Sequence, residues 1–238
     1  MTADAKAAER LSIIIPVLNE AATVAGTLAA LAPYRARGVE VIVADGGSGD
    51  GTVRLALPLC DQIVTAPRGR GAQMNAGAAA AQGDILLFLH ADTALPGDAD
   101  TLVRKGLADG EFAWGRFDVT ITGAHWMLPV IAHMMSLRSR VTGVATGDQA
   151  MFVLREAFAA VGGFADIPLM EDIVLSQRLK RLTKPLCLRE RVSTSGRRWE
   201  KHGVVRTILL MWRLRLAFFL GTAPAQLAKD YGYVPGDA

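Results

Sequence analysis

With 238 residues, 51% of them hydrophobic, the chain can bury a core as one large domain, with or without a small appendage. A formal charge of only +3 excludes the dominant positive field of a nucleic-acid binder, and two cysteines, Cys60 and Cys187, exclude a disulfide framework and suit a reduced compartment. The polar start MTADAKAAER does not read as a signal peptide, and no stretch has the length of a clean membrane span, so the expected location is the cytoplasm, with peripheral contact at the inner face of the cell membrane left open.

In chain order, residues 1–10 read as a flexible start or a short helix. Residues 11–17 form a strand whose regular pairing Pro16 is expected to end. Asn19 is expected to cap a helix from Glu20 to about Tyr34. Residues 39–44 are the second strand of a βαβ unit. After a glycine-rich turn at 45–51 come a short helix at 53–57, a strand at 62–65 and a helix at 72–81 ended by Gly83. Residues 85–89 are a short apolar strand, and Asp98 or Asp100 starts the next helix. The pattern then changes. Residues 112–121 alternate as a strand added in antiparallel or mixed fashion, and 126–139 form an apolar helix. A strand at 149–154 and a short helix at 156–161 follow. Glu171 and Asp172 open a helix whose early acids and late bases suit its dipole. A strand at 186–192, a basic loop at 195–199 and an apolar helix at 204–220 complete the chain. On that last helix Arg206 and Arg213 share a face, and Arg215 falls away from it. The helix packs on the domain, forms a dimer surface or lies in a membrane interface.

Three of these strands stop at an acid: the first near Glu20, the second at Asp45, and the run 85–89 at His90, Ala91 and Asp92. Buried parallel strands that each deliver a carboxylate to their carboxyl ends point to one ligand crevice along that edge. The glycine turns do not make a dinucleotide fingerprint: Asp45 precedes its glycines, Gly69 and Gly71 lack the third, and no Walker lysine is present. Asp45 either holds ribose hydroxyls or caps Gly47 and Ser48, and the crevice it shares with Asp92 favours the ligand role. Glu20 meets a base or simply occupies a first helical turn. Asp92 is placed to coordinate Mg²⁺ or Mn²⁺ beside a diphosphate, with helix capping as the alternative. His90 ligates the same ion or makes a core hydrogen bond. Glu171 and Asp172 pair a base with an orienting acid, or cap their helix. Arg70, Arg197 and Arg198 suit phosphate oxygens, unless the last two only face solvent. Trp114, His125, Trp126 and Met127 stack a ligand or pack the core. Asp148 reaches a sugar or merely sits in a turn.

The segments IIIPVLNE, VIVADGGSGD, GRGAQMNAGAAAAQGDILLFLHADT, MEDIVLS and GRRW together resemble family 2 glycosyltransferases, over roughly residues 10–200. HADT and SGRRWEKHG add a narrower likeness to the small bacterial selenodomain-associated, or arsenosugar-biosynthesis, group. The resemblance implies the GT-A fold, a mixed, mainly parallel sheet flanked by helices. Residues 11–111 would be its nucleotide-sugar-binding half, 112–200 its acceptor-binding and catalytic half, and 201–238 a helical tail. It assigns Pro16, Glu20 and Asp45 to the nucleoside and aligns Asp92 and Arg198 with donor motifs, and Arg70, read from its phosphate-pairing chemistry, joins them as a donor contact. The metal motif Asp-X-Asp falls on His90, Ala91 and Asp92, with His90 a departure from the pattern. Asp172 becomes the general base beside Glu171. Gln-X-X-Arg-Trp approximately meets the segment ending in Arg198 and Trp199, with Ser195 in place of glutamine, and Asp148, Arg197 and Trp199 fall to the acceptor. The implied activity is inverting transfer from a UDP- or GDP-sugar to a small-molecule or lipid-linked acceptor hydroxyl, assisted by Mn²⁺ or Mg²⁺. The alternatives are a dolichol-phosphate-sugar-synthase-like transferase acting on a polyprenyl phosphate, and a nucleotide-sugar-binding protein without turnover. The partners expected are the donor, the acceptor and a second copy through the C-terminal helix, with no nucleic acid.

Overall fold

A computed structural model describes residues 9–232, so residues 1–8, most of the expected flexible start, lie outside it. Eight strands make one sheet: β1 (Leu11–Val17), β2 (Glu40–Asp45), β3 (Gln62–Thr65), β4 (Ile85–Phe88), β5 (Thr93–Ala94), β6 (Trp114–Thr122), β7 (Phe152–Leu154) and β8 (Leu186–Ser195). Their order is β3-β2-β1-β4-β7-β6-β8-β5. The first four pair in parallel. β7 runs antiparallel between β4 and β6, β8 is parallel to β6, and the two-residue β5, which sequence reasoning missed, runs antiparallel to β8.

The helices are α1 (Val24–Ala30), α2 (Ala32–Ala36), α3 (Thr52–Ala56), α4 (Arg70–Ala80), α5 (Ala99–Leu107), α6 (Leu128–Thr142), α7 (Arg155–Ala160), α8 (Glu171–Leu179), α9 (Arg197–His202), α10 (Val204–Phe219) and α11 (Pro224–Tyr231). Side chains alternate across a strand. Ile13, Ile15, Val41, Val43, Ile85 and Leu87 therefore pack with α1, α2, α5 and α6, while Ile14, Ile42, Leu86 and Phe88 pack with α4, α7 and α8. Both faces are covered, which is why these strands read as unbroken apolar runs. A third cluster joins Ile173 of α8 to Leu214 of α10 and to Leu227 and Ala228 of α11. α4 lies so close to β1 that a Cβ at Gly77 would strike Ile14. Among the described residues no helix is long and apolar enough to cross a membrane.

Four local expectations are corrected. Pro16 does not end the pairing: it sits inside β1, in register with Ala44. Ile14 accepts from Leu89 on the β4 side and Val17 accepts from Gly46 on the β2 side, so by alternation Pro16, which has no N–H, faces where β4 has already ended. The helix expected from Glu20 breaks at Leu31, because Pro33 in the first turn of α2 cannot donate to a preceding carbonyl. Asn19 caps nothing: it has φ 54°, and its side-chain oxygen accepts from the Gly49 N–H at 2.9 Å. Most of the basic loop is helical, in α9, and the expected helical tail breaks into two, with α11 folding back on α10.

One polar contact sets part of the acid stability. Asp100 is 1% exposed and accepts from Arg37 at 3.0 and 2.7 Å and from Arg104 at 3.3 Å. Burial pushes its carboxyl up, but the bonds from Arg37 and the charges of Arg37 and Arg104 prevail and hold it below its ordinary value. A depressed folded-state pKa stabilises above the unfolded value and is lost as pH falls through the folded one. Asp100→Asn is therefore expected to lower the urea midpoint at neutral pH and to flatten the acid limb of a stability-pH curve.

Candidate active site

The chain leaves β1 toward β2 and β3 and returns to β4 on the other side of β1. Ligands of open α/β sheets bind beyond the carboxyl ends of such a pair, where the loops diverge. A crevice of about 220 Å³ lies there, lined by Pro16, Glu20, Arg70, Gln73, His90 and Asp92 among others. Gln73 ties its floor: the buried side-chain amide donates to the Val17 carbonyl at 2.6 Å and the Ala44 carbonyl at 3.0 Å. The Glu20 carboxylate accepts from Thr23 Oγ1 at 2.6 Å, while its backbone N–H donates to Thr52 Oγ1 at 2.8 Å. Asp92 is exposed. Asp45 stands beside this crevice rather than in its lining. It is 4% exposed, and its carboxylate accepts from the N–H groups of Gly47 at 3.0 Å and Ser48 at 3.1 Å. The turn role is the one the geometry displays.

A second cavity, about 110 Å³, is lined by Arg70, His90, Asp148, Asp172, Arg215 and Tyr231 among others. Arg70 and His90 line both spaces and form the wall where they meet. Met170 stands immediately before α8 with φ 72°, a left-handed backbone that a side chain other than glycine rarely adopts. The two acids that follow it part company. Glu171 is 2% exposed and pairs with Arg70 Nε at 2.9 Å, with its Oε2 lacking a partner. Burial raises its pKa, against the pull of Arg70. Burial likewise opposes the charge on Arg70, but Glu171 and Asp172 hold it above its ordinary value. Glu171 thus anchors Arg70 in the wall and does not line the second cavity. Asp172 does: its Oδ2 accepts from the Gly147 N–H at 2.9 Å and its Oδ1 from the Ile173 N–H at 2.7 Å. Gly147 is a site residue that sequence reasoning passed over as part of a turn. A Cβ there would collide with the His90 ring.

His90 Nδ1 lies 3.4 Å from Asp148 Oδ1, and its ring packs against Gly147 at the wall between the two cavities. Burial works against a charged imidazole, yet the bond to Asp148 and its charge raise the pKa above the ordinary histidine value. Among the described residues no group of three or more His, Cys, Asp or Glu is arranged to hold a metal. A divalent ion would instead draw on Asp92 and on the oxygens of a bound diphosphate, a hard donor set that suits Mg²⁺ or Mn²⁺.

The basic segment is also redistributed. Arg198 does not line the crevice: its guanidinium stacks 3.6 Å from the Tyr231 ring centre and donates to the Tyr231 carbonyl at 3.2 Å. It positions the end of α11, whose Tyr231 lines the second cavity. Trp199 packs, partly buried, against the main core. Arg197 is exposed, bonds Ser195 Oγ through Nε at 3.2 Å and lines a separate groove that reaches Asp92. Trp114 is fully buried and Trp126 is 76% exposed, and neither lines the two cavities.

The family model for Glycosyl transferase family 2 matches residues 12–160. A PGL/p-HBAD biosynthesis glycosyltransferase of Mycobacterium tuberculosis is 38% identical over 170 residues, covering 66% of this chain and 64% of the relative, so the match spans less than two thirds of that relative's length. An uncharacterized glycosyltransferase of the same organism is 32% identical over 123 residues, covering 50% of this chain and 54% of the relative. Neither description supports the narrower arsenosugar-group likeness, which rested on two short motifs. Among solved structures, TarS 1-349 of S. aureus with UDP-GlcNAc has TM-score 0.64 at 15% identity over 78% of this chain and 58% of that one. The mannosyltransferase PcManGT of Pyrobaculum calidifontis, in complex with GDP-Man and Mn²⁺, has TM-score 0.63 at 21% identity over 96% and 70%. At such identity these structures show the shared GT-A fold. The match over residues 12–160, on a sheet whose switch point carries the crevice, makes this chain a member of glycosyl transferase family 2.

Proposed function

We propose that the protein transfers a sugar from a nucleotide diphosphate donor, UDP- or GDP-linked, to an acceptor hydroxyl with inversion at the anomeric carbon. The observation that carries this is that Asp172 faces a cavity meeting the switch-point crevice at Arg70 and His90. The nucleoside lies against Pro16 and Glu20, with Asp45 shaping the turn beside it. Arg70 faces the diphosphate, a role its planar fork suits. Asp148 contacts the acceptor while it holds His90. Asp172 takes the proton from the acceptor hydroxyl as the oxygen attacks the anomeric carbon. The bond from that carbon to the diphosphate breaks on the opposite face, the electron pair leaves with the nucleotide, and one in-line displacement inverts the centre. Mn²⁺ or Mg²⁺, held by Asp92 with the diphosphate, would neutralise the charge of the leaving group.

Thermal-shift titration with UDP and GDP tests the donor side. The midpoint is expected to rise with one of them, more so with Mn²⁺ than with EDTA. Asp92→Asn should remove the metal-dependent part and leave the rest. Equal shifts with and without metal in the unaltered protein would contradict the role of Asp92.

The exposed apolar surface favours a lipid-linked acceptor over a soluble one. On α10, Val205, Leu209, Trp212, Leu216 and Phe219 are all at least 60% exposed and recur at helical spacing. Val130, Met134, Leu137 and Val141 make a second exposed row on α6. Arg206 and Arg213 flank the first row, as on helices that lie in a membrane interface. The protein is expected to float with anionic vesicles, and the pair Leu209→Glu with Trp212→Glu to abolish flotation. Failure of the unaltered protein to float, or self-association at the same face, removes the membrane reading.

A further inference from the structure

We infer that the cavity facing Asp172 contains an anion subsite built by Arg138 and Arg215, so that the acceptor carries a phosphate or carboxylate close to the hydroxyl that reacts. This rests on reading that cavity as the acceptor site.

The two arginines come from different elements, Arg138 from α6 and Arg215 from α10. Arg215 lines the cavity and makes no hydrogen bond or ion pair with the described residues. Its place on α10 is already odd in the sequence. Arg206 and Arg213 reach solvent on one face, and Arg215 turns inward. Arg138 has Nε and Nη2 buried with no hydrogen-bond partner. A buried guanidinium left unpaired is costly, and such a group in a folded protein calls for an explanation. The two also stand within electrostatic range. Burial first, and then the charge of Arg215, lower the Arg138 pKa to about 10.

Asp172 and Asp148 act on both arginines through space, but neither makes an ion pair or hydrogen bond with them. Asp148 is taken by His90, and both oxygens of Asp172 accept backbone N–H groups. Glu171 pairs with Arg70, and Arg198 is stacked on Tyr231. Two guanidinium groups within electrostatic range of each other, both with unused donors and one of them lining the cavity, suit an anion with two or more oxygens. The anion is not the donor diphosphate, because neither arginine lines the switch-point crevice across the Arg70–His90 wall. The same chemistry fits a lipid phosphate or a soluble phosphorylated or carboxylated acceptor.

The test is calorimetric titration of the full protein with inorganic phosphate, with UDP and Mn²⁺ at saturation so that the donor crevice is filled. The unaltered protein is expected to bind phosphate. Arg215→Met and Arg138→Met should each weaken it by about tenfold or more, the scale of one lost charged hydrogen bond, with UDP affinity unchanged. Arg138→Met removes an unpartnered buried charge, so its thermal midpoint should hold or rise. A loss of phosphate binding there then cannot be ascribed to unfolding. Vesicles carrying a lipid monophosphate and soluble glucose 6-phosphate are compared as competitors. Displacement by either supports the subsite, and the stronger one names the source. No phosphate binding by the unaltered protein, variants that bind it as before, or displacement by neither competitor would overturn the proposal. Donor hydrolysis by Asp172→Asn is read in parallel. Normal hydrolysis with arginine-dependent phosphate binding leaves an anion site but removes the acceptor reading.

Discussion

Asp172→Asn should lower sugar transfer by about 10²- to 10⁴-fold, the range a positioned general base supplies, while nucleotide affinity stays within about twofold. Asparagine keeps the shape and offers one oxygen to the Gly147 N–H that bonds the aspartate at 2.9 Å, at the cost of the acceptor for the Ile173 N–H at 2.7 Å, and the thermal midpoint of the variant separates that local loss from the loss of the proton acceptor. Glu171→Gln behaves differently. It breaks the 2.9 Å ion pair with Arg70 inside the wall between the cavities, so both donor affinity and turnover should fall. The two variants, compared by steady-state kinetics and UDP titration, separate the base from its neighbour. Near-normal turnover in Asp172→Asn would remove it from that role.

Asp118→Ala should cost about 3–5 kcal/mol of stability, the penalty of leaving a buried charge without its partner. Arg116 is fully buried in β6. It donates to Asp118 and, at 3.0 Å, to the Ser136 carbonyl of α6. Asp118 also accepts from Arg140 at 2.8 Å, which ties the same helix to the sheet. Removing the carboxylate strands one arginine in the core and frees another at the surface. Arg116→Met removes the charge together with its need for a partner and should cost much less, although it leaves Asp118 to Arg140 alone. Urea denaturation of the two variants reads the difference directly. Equal losses would mean that the contact matters through packing rather than charge. Because α6 carries Arg138, Asp118→Ala should also weaken phosphate binding at the inferred subsite.

What the sequence discloses here is mostly what short-range physics controls. The strand at 11–17 is legible to the residue, because an apolar run covered on both faces leaves little choice, and the part-exposed edge strand at 62–65 is legible from its two β-branched residues between polar neighbours. The positions of Asp92, after a buried run, and of Asp172, in the first turn of a helix, are legible too. The use of each side chain is less visible, because it depends on partners far along the chain. His90 has the spacing of a metal ligand, and only the fold shows that Asp148, 58 positions later, takes its Nδ1 (148 − 90). Arg198 has the sequence context of a diphosphate contact, and only the folding back of α11 gives it Tyr231 instead. Asp45 has both a ligand and a turn reading, and the turn half is visible locally in its bonds two and three residues away. The break at Leu31 was within reach, since Pro33 is visible and proline cannot continue a helix without losing a bond. Arg215 carried a usable signal as well, in its helical phase against Arg206 and Arg213, but what it turned toward required the structure.

The central claim is that a donor in the switch-point crevice meets an acceptor in the Asp172 cavity and reacts by one displacement. The most direct measurement is proton NMR of the anomeric centre during turnover of a UDP- or GDP-sugar. The unaltered protein with Mn²⁺ is assayed with water or a supplied hydroxyl as acceptor. An α-linked donor should give a β-linked first product, with the nucleotide diphosphate released in equal amount. A first product that retains the donor's configuration would contradict the account.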